Sequence, residues 1–295
     1  MNAIEIQGLC KSYGDFSIKN VDLVLPQGCI MGLVGENGAG KTTTINLIMN
    51  ALHADKGTIR VLGTDNTSPE FTVTKQDISV VADSVMFPDV FDAAQVSKLL
   101  SRVYIGWDST VFDAYLERFE LSRTKKIRDY SKGMGMKLSL AAALSHNAKL
   151  LILDEATGGL DPFIRDRILD VLIEYTRSEE RSVLMSSHIV SDLEHICDYV
   201  AFMRHGEIVL CDTKDNILEE YAVIKTSPDM VLPISSVMAV RRGRYDTQVL
   251  MKRSAVPQNI TPERSTLEDI IVFMSRISSG GVPEYMTQSG TASLW

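Results

Sequence analysis

Cysteine is scarce. Cys10, Cys29, Cys197 and Cys211 are the only four in 295 residues. Their spacings form no C-x-x-C pair and no His-linked zinc pattern. Four scattered thiols predict a reduced, intracellular setting rather than a disulfide framework. Long apolar runs are missing too. The longest, such as Leu150–Leu153, are strand-length and far from the ~20 residues needed to span a bilayer. Work at a membrane would therefore require another chain to supply the span. Met1-Asn2-Ala3-Ile4-Glu5 lacks the basic start and apolar stretch of a signal peptide. A basic excess is absent as well, since 30 Lys and Arg face 38 Asp and Glu for a net charge of −8. Phosphate neutralisation supplies most nucleic-acid affinity, so this balance argues against nucleic acid as the main partner. It argues equally against adhesion to an anionic membrane surface. A nucleotide needs only a local patch of donors and is not excluded.

Against these absences, 45% of the chain is hydrophobic and 23% charged. That suffices for one large domain and a small one, and excludes wholesale disorder. Ile4 and Ile6, then Val21, Leu23 and Leu25, alternate with polar neighbours as half-buried strands do. Cys29–Val34 is nearly all apolar and predicts a strand buried on both faces. It runs into a glycine-rich turn and then a helical pattern over Thr42–Leu52. Gly57–Leu62 is another expected strand. From about Phe91 to Ser145 the pattern is helical, with Val111, Phe112, Tyr115, Leu116 and Phe119 at helical spacing. Leu138, Ala141, Ala142 and Ser145 repeat that spacing. Strands return at Leu150–Leu153 and Val183–Ser186, each followed by a helix. The second helix carries one stripe of Ile189, Leu193, Ile196 and Val200. Tyr199–Met203 and Glu207–Leu210 flank a hairpin turn at Arg204-His205-Gly206. Alternating strands and helices predict an α/β fold with a largely parallel sheet.

The expected domains are 1–220, with a helical subdomain at about 86–146, and a small α+β appendix at 221–277. In the appendix, Val237–Val240 and Gln248–Lys252 are expected strands around the basic turn Arg241–Arg244. Ser265-x-x-Glu268 is expected as a capping box opening a helix over Leu267–Ile277. The Gly/Ser/Thr-rich segment 278–295 is expected to be a flexible tail.

The strongest chemical signal is Gly35-Glu36-Asn37-Gly38-Ala39-Gly40-Lys41-Thr42, followed by Thr43. It matches G-x-x-x-x-G-K-[ST] and sits between a buried strand and a helix, as a phosphate loop must. Glycines let successive N–H groups curl around phosphate oxygens, and the helix N-terminus adds partial positive charge. Lys41 is placed to reach the β and γ phosphates, and the Thr42 hydroxyl to ligand Mg²⁺. Asp154-Glu155 closes the apolar strand Leu150–Leu153, at the rim where α/β proteins bind ligands. Asp154 would hold Mg²⁺, and Glu155 would act as general base on the attacking water. His188, just past Val183–Ser186, could bond the γ-phosphate or orient that water.

These residues together resemble the ATP-binding subunit of an ABC transporter, over roughly residues 3–220. Gly35–Thr42 resembles the Walker A motif, and Leu150–Glu155 Walker B with its catalytic glutamate. Tyr13, in Lys11-Ser12-Tyr13-Gly14, stands where the family's aromatic stacks on adenine. Tyr130-Ser131-Lys132-Gly133-Met134 stands at the family signature, and Gly159-Leu160-Asp161-Pro162 at the D-loop. His188 falls at the switch histidine. Two departures stand out. The signature is YSKGM where LSGGQ is usual, with Ser131 and Gly133 kept. Asp83, after Ile78–Ala82, stands at the Q-loop position where the family has a glutamine; it is expected to ligand Mg²⁺ as a charged carboxylate, or else only to mark the hinge towards the membrane subunit.

The resemblance implies a P-loop NTPase of ABC type. Its core sheet would be mostly parallel, joined by an antiparallel β subdomain and a helical subdomain. ATP and Mg²⁺ are the implied ligands, with Asp161, Ser131 and Gly133 among the nucleotide-binding residues. The signature would cap ATP held by a second ATP-binding chain, in a homodimer or heterodimer. A separate transmembrane permease is the further implied partner, and the implied place is the inner face of the cell membrane. Phe87, Pro88, Val90 and Phe91 stand where the family docks the permease, or else in the core of the helical subdomain. Trp107-Asp108, the YSKGM signature and the appendix after Tyr221 resemble Gram-positive exporters of antimicrobial or cytolytic peptides. The alternatives are a soluble ABC-type ATPase acting on ribosomes or DNA, and a nucleotide sensor without turnover.

Overall fold

Residues 1–226, 232, 234–242, 246–262 and 264–276 are described by a computed structural model. The elements in the first part are β1 (Asn2–Tyr13), β2 (Phe16–Pro26), β3 (Ile30–Val34), α1 (Lys41–Ile48), β4 (Lys56–Val61) and β5 (Thr64–Asp65). A short turn of helix, α2 (Phe71–Thr74), leads to β6 (Ile78–Val81). Three helices follow, α3 (Ala93–Val103), α4 (Ser109–Arg118) and α5 (Lys132–Ala143). Then come β7 (Leu150–Asp154), α6 (Pro162–Tyr175), β8 (Ser182–Ser187), α7 (Val190–Ile196), β9 (Tyr199–Arg204) and β10 (Glu207–Thr213).

Two sheets result, ordered β2-β1-β4-β5 and β10-β9-β3-β8-β7-β6. The pairs within the first are antiparallel. In the second, β9-β3-β8-β7-β6 run parallel. All five residues of β3 are buried, because a central parallel strand is covered on both faces. One apolar cluster joins Ile4, Ile6, Leu23 and Leu25 of the first sheet to Ile45 and Ile48 of α1. It continues into Met31, Leu33, Ile152 and Leu184 of the second sheet. This packing clamps α1, and with it the loop that opens it.

Local chemistry sets where α1 starts and stops. Gly40 caps it with φ of 116°. A side chain there would be strained, and its Cβ would lie 2.7 Å from Ile18 Cδ1. The helix stops at Ile48, before the expected Leu52, because Asn50 turns the chain with φ of 50°. Asn66 Nδ2 then donates to the end carbonyls of Leu47 at 2.7 Å and Ile48 at 3.1 Å. The expected apolar stripe after β8 ends at Ile196, since Val200 lies in β9.

The chain divides into two compact units, Met1–Cys211 and Asp212–Trp295. The second unit contains α8 (Lys214–Glu220), β11 (Tyr221–Thr226), β12 (Val237–Arg242), β13 (Thr247–Lys252) and α9 (Leu267–Met274), with sheet order β11-β13-β12. The expected boundary at residue 220 is thus corrected to one before α8. Arg253 explains it, donating to the carbonyls of Leu218, Glu219 and Tyr221 and fastening α8 to this unit. The expected capping box is shifted by one residue. Thr266 caps α9 in reciprocal bonds with Asp269, while the Ser265 hydroxyl accepts from the Val223 amide at 2.9 Å. Residues 243 and 244 of the expected basic turn, residue 277 and the tail 278–295 lie outside the described residues.

Candidate nucleotide site

The loop from Gly35 to Gly40 leaves β3 and is held from several sides. The Ala39 amide donates to the Glu36 carbonyl at 3.1 Å, and the Gly206 amide donates to the Ala39 carbonyl at 2.9 Å. The hairpin turn between β9 and β10 thereby braces the loop. Gly206 must be glycine: its φ is 80°, and a Cβ would collide with the Ser17 carbonyl. The Lys41 side chain is only 5% exposed, and its Nζ donates to Gly35 O at 2.6 Å and Glu36 O at 3.2 Å. Glu36, Asn37, Gly38 and Thr42 are exposed, and Thr43 is half-buried. A cavity of about 380 Å³ opens here, walled by Asn37, Gly38, Gly40, Lys41, Thr42, Thr43 and Glu155, with Phe16 opposite.

The register of β7 beside β8 places Asp154 across from Ser186. The Ser186 hydroxyl donates to Asp154 Oδ1 at 2.6 Å and accepts from the Glu155 amide at 3.0 Å. One serine thus fixes both acids at the strand end. Glu155 follows with φ of 52°, in the left-handed region that a non-glycine residue holds only when its surroundings impose it. Its Oε1 lies 2.9 Å from Lys41 Nζ and its Oε2 lies 2.6 Å from His188 Nδ1. Partial burial pushes the Glu155 carboxyl up. The hydrogen bonds and charges of Lys41 and His188 outweigh it and hold the group below the ordinary glutamate range. Lys41, Glu155 and His188, drawn from α1, the end of β7 and the end of β8, are therefore one contiguous cluster.

The remaining expected residues fall elsewhere. Ser131 caps α5, accepting from the Met134 amide at 3.2 Å. Gly133 is buried against α6, where a Cβ would come 2.6 Å from Ile164 Cδ1. Asp161 caps α6, accepting from the amides of Phe163 and Ile164 at 3.1 and 3.0 Å. None of the three borders the cavity in this chain. Tyr13 is 39% exposed with Lys11 Nζ 5.5 Å from its ring centroid, and the aromatic wall of the cavity is Phe16 instead. Asp83 is exposed and is not part of the cavity; its neighbours Ala82 and Ser84 line a different one. Sequence reasoning missed Phe16 and Ser186. Phe16 sits on the strand that packs over Gly40, and Ser186 is a buried serine that follows the apolar run Val183–Met185 at the end of β8, a signal that was readable.

The donors present fit a hard divalent cation. The Thr42 hydroxyl is exposed at the loop, and the second oxygen of Asp154 is not used by Ser186. Among the described residues no group of three or more His, Cys, Asp or Glu could hold a metal by itself. The missing ligands would come from water and phosphate oxygens, the usual arrangement for Mg²⁺ in phosphoryl-transfer sites.

A parallel strand feeding a phosphate loop and helix, beside a strand-end Asp-Glu pair, defines a nucleoside triphosphatase of the P-loop class. The sequence profile described as ABC transporter matches residues 18–158. The ABC transporter ATP-binding protein YtrB of Bacillus subtilis is 32% identical over 77% of this chain and 77% of its own length. The bacitracin transport ATP-binding protein BcrA of Enterococcus faecalis is 32% identical, covering 70% of this chain and 68% of its own. The lantibiotic transport ATP-binding protein SrtF of Streptococcus pyogenes is 31% identical over 70% of this chain and 89% of its own. A solved ATP-binding subunit of an ABC transporter shares the fold with a TM-score of 0.66, at 24% identity over 73% of this chain and 91% of that one. The chain belongs to the ABC transporter ATP-binding proteins, the ATPases that power a separate membrane subunit.

Proposed function

We propose that this ATPase hydrolyses Mg²⁺-ATP with Glu155 as general base, and that it drives a permease exporting peptides or drugs. The observation that carries the catalytic half is the position of Glu155, held through one oxygen by Lys41 and through the other by His188. The loop amides and Lys41 bind the β and γ phosphates, and Thr42 and Asp154 would hold the cation. Bound there, Mg²⁺ supplies charge neutralisation on the phosphate oxygens. When a phosphate oxygen takes Lys41, Glu155 Oε1 is released to accept a proton from water. That water oxygen bonds to the γ-phosphorus as the bond to the β–γ bridging oxygen breaks. His188 keeps the carboxylate oriented and can donate to the γ-phosphate. The family resemblance assigns Ser131, Gly133 and Asp161 to ATP held by a second ATP-binding chain, and none of the three borders this chain's own cavity, so a dimer belongs to the reading, with Tyr13 or Phe16 against adenine.

The export half rests on the bacitracin and lantibiotic relatives. It is supported by a second cavity of about 130 Å³ between β6, α3 and α5, walled in part by Phe87, Leu100, Tyr104 and Met86. Met86, on its wall, is 77% exposed, and Val90, four residues further along the chain, is 57% exposed; both offer apolar surface suited to a helix of a membrane subunit at the inner face of the membrane. No helix among the described residues is long and apolar enough to cross a membrane itself. The test is affinity purification from membranes with ATPase assay of what is recovered. Co-purification of a multispanning chain, lost in Met86→Asp, supports the reading; ATP turnover without any such partner speaks for the uncoupled alternative.

A further inference from the structure

The turn after Glu155 is tied down at a point the proposed mechanism does not use. Thr157 is fully buried, and its hydroxyl donates to Oδ2 of Asp192 at 3.0 Å. Asp192, 5% exposed, lies in the first turn of α7, four residues beyond His188. Its other oxygen faces Nη1 of Arg165, in the first turns of α6, at 3.5 Å. A carboxylate is costly to bury unless it is paired and hydrogen-bonded. Burial pushes the Asp192 carboxyl up; the Thr157 hydroxyl and the charges of Arg165 and nearby His188 pull it back.

One buried acid therefore joins three segments. These are the turn two residues past Glu155, the start of α6 just past Asp161, and the helix that follows His188. The turn is not relaxed by itself. Glu155 has φ of 52°, and the Gly158 amide closes the turn on the Glu155 carbonyl at 3.0 Å. Ser186 anchors Glu155 from the strand side, and Thr157 is the next side chain beyond it with a polar anchor. Losing the Thr157 hydroxyl would leave Asp192 short of a bond and let the backbone at Glu155 relax toward an ordinary conformation. The carboxylate would then drift from its place between Lys41 and His188. ATP binding through Lys41 and the loop amides would not be weakened by it, since Glu155 competes with phosphate for the Lys41 ammonium.

We propose that Asp192, through Thr157 and Arg165, is a positioning residue that holds Glu155 and His188 in mutual register for hydrolysis. This rests on the assignment of Glu155 and His188 to catalysis. Thr157→Val keeps the side-chain shape and removes the hydroxyl, and Thr157→Ser restores it. Phosphate release should show kcat falling roughly tenfold to a hundredfold in Thr157→Val, since small misplacements cost that much, with KM for ATP nearly unchanged. Thr157→Ser should recover most of the rate. In a His188→Ala background, Thr157→Val should add little, because both act on one geometry. If Thr157→Val destabilises the fold, Asp192→Asn keeps the size and an acceptor while removing the charge, and should show the same loss in kcat alone. Normal turnover in both Thr157→Val and Asp192→Asn overturns the proposal. So does a joint fall of kcat, ATP affinity and Tm that serine fails to rescue. Glu155→Gln, run alongside, separates the two ideas: an active Glu155→Gln defeats the catalytic assignment, while an inactive one beside a normal Thr157→Val defeats only the positioning role.

Discussion

Oε1 of Glu155 lies 2.9 Å from Nζ of Lys41, so the residue assigned to water activation and the residue assigned to phosphate binding share one ion pair. Phosphate and Glu155 must compete for that ammonium. Replacing the acid by its neutral amide, Glu155→Gln, removes the competitor and leaves Lys41 and the loop amides in place. ATP binding is expected to be retained or strengthened. Phosphate release is expected to fall by roughly 10²–10⁴, the range for losing general-base catalysis. Near-normal turnover would remove Glu155 from the role.

The same pair predicts an acid dependence of stability. The folded-state pKa of Glu155 is lowered, so the unfolded chain binds this proton more readily than the folded one. Its contribution to stability is fully present above the ordinary glutamate range and is lost as pH falls through the lowered folded value. Glu155→Gln lacks this contribution at every pH. Urea unfolding of both proteins from neutral pH into acid should show the wild type losing stability relative to the variant. A difference that stays constant across that range would mean the ion pair is not formed in solution.

Phe16 and Tyr13 are the two candidates for stacking on adenine. Phe16 walls the cavity beside the phosphate loop, while Tyr13 is turned toward Lys11. Stacking needs a planar π face, so truncating the ring that holds the base should raise KM for ATP with little change in kcat. Phe16→Ala is expected to show the larger rise. A rise confined to Tyr13→Ala would return the adenine to the tyrosine and leave Phe16 as packing over Gly40.

Asp83 is expected to leave Mg²⁺ alone. It is exposed, it does not border the nucleotide cavity, and its neighbours line the cavity assigned to the membrane partner. Titrating ATP binding with and without Mg²⁺ should give the same Mg²⁺ dependence in the wild type and in Asp83→Asn. A steeper dependence in the wild type would restore the charged side chain as a metal ligand.

Much of this site was legible in the residue order, because its parts are local. A phosphate loop is a consecutive run whose glycines and lysine act at fixed spacing, and Asp154-Glu155 announces itself as two acids closing an apolar strand. The parallel core was readable for the same reason: β3 and β7 are short apolar runs and β8 carries one in Val183–Met185, as strands covered on both faces do. Helix ends were less legible. The stop of α1 depends on Asn50 and on Asn66, which reaches it from another element, and the cap of α9 fell to Thr266 because Ser265 was drawn to the Val223 amide.

By itself, then, the sequence determined the phosphate loop, the paired acids, the α/β alternation and the family. Only the tertiary structure decided that Glu155 sits between Lys41 and His188, and that Ser186 fixes both acids. It alone showed that Phe16 rather than Tyr13 faces the cavity, and that Asp192 ties the turn after Glu155 to α6 and α7. Each of these joins residues from different strands or helices, at distances set by sheet register and by packing around one core. A contact of that kind leaves no spacing in the chain to be read, since it exists only once the sheet has brought separate strand ends to a common edge.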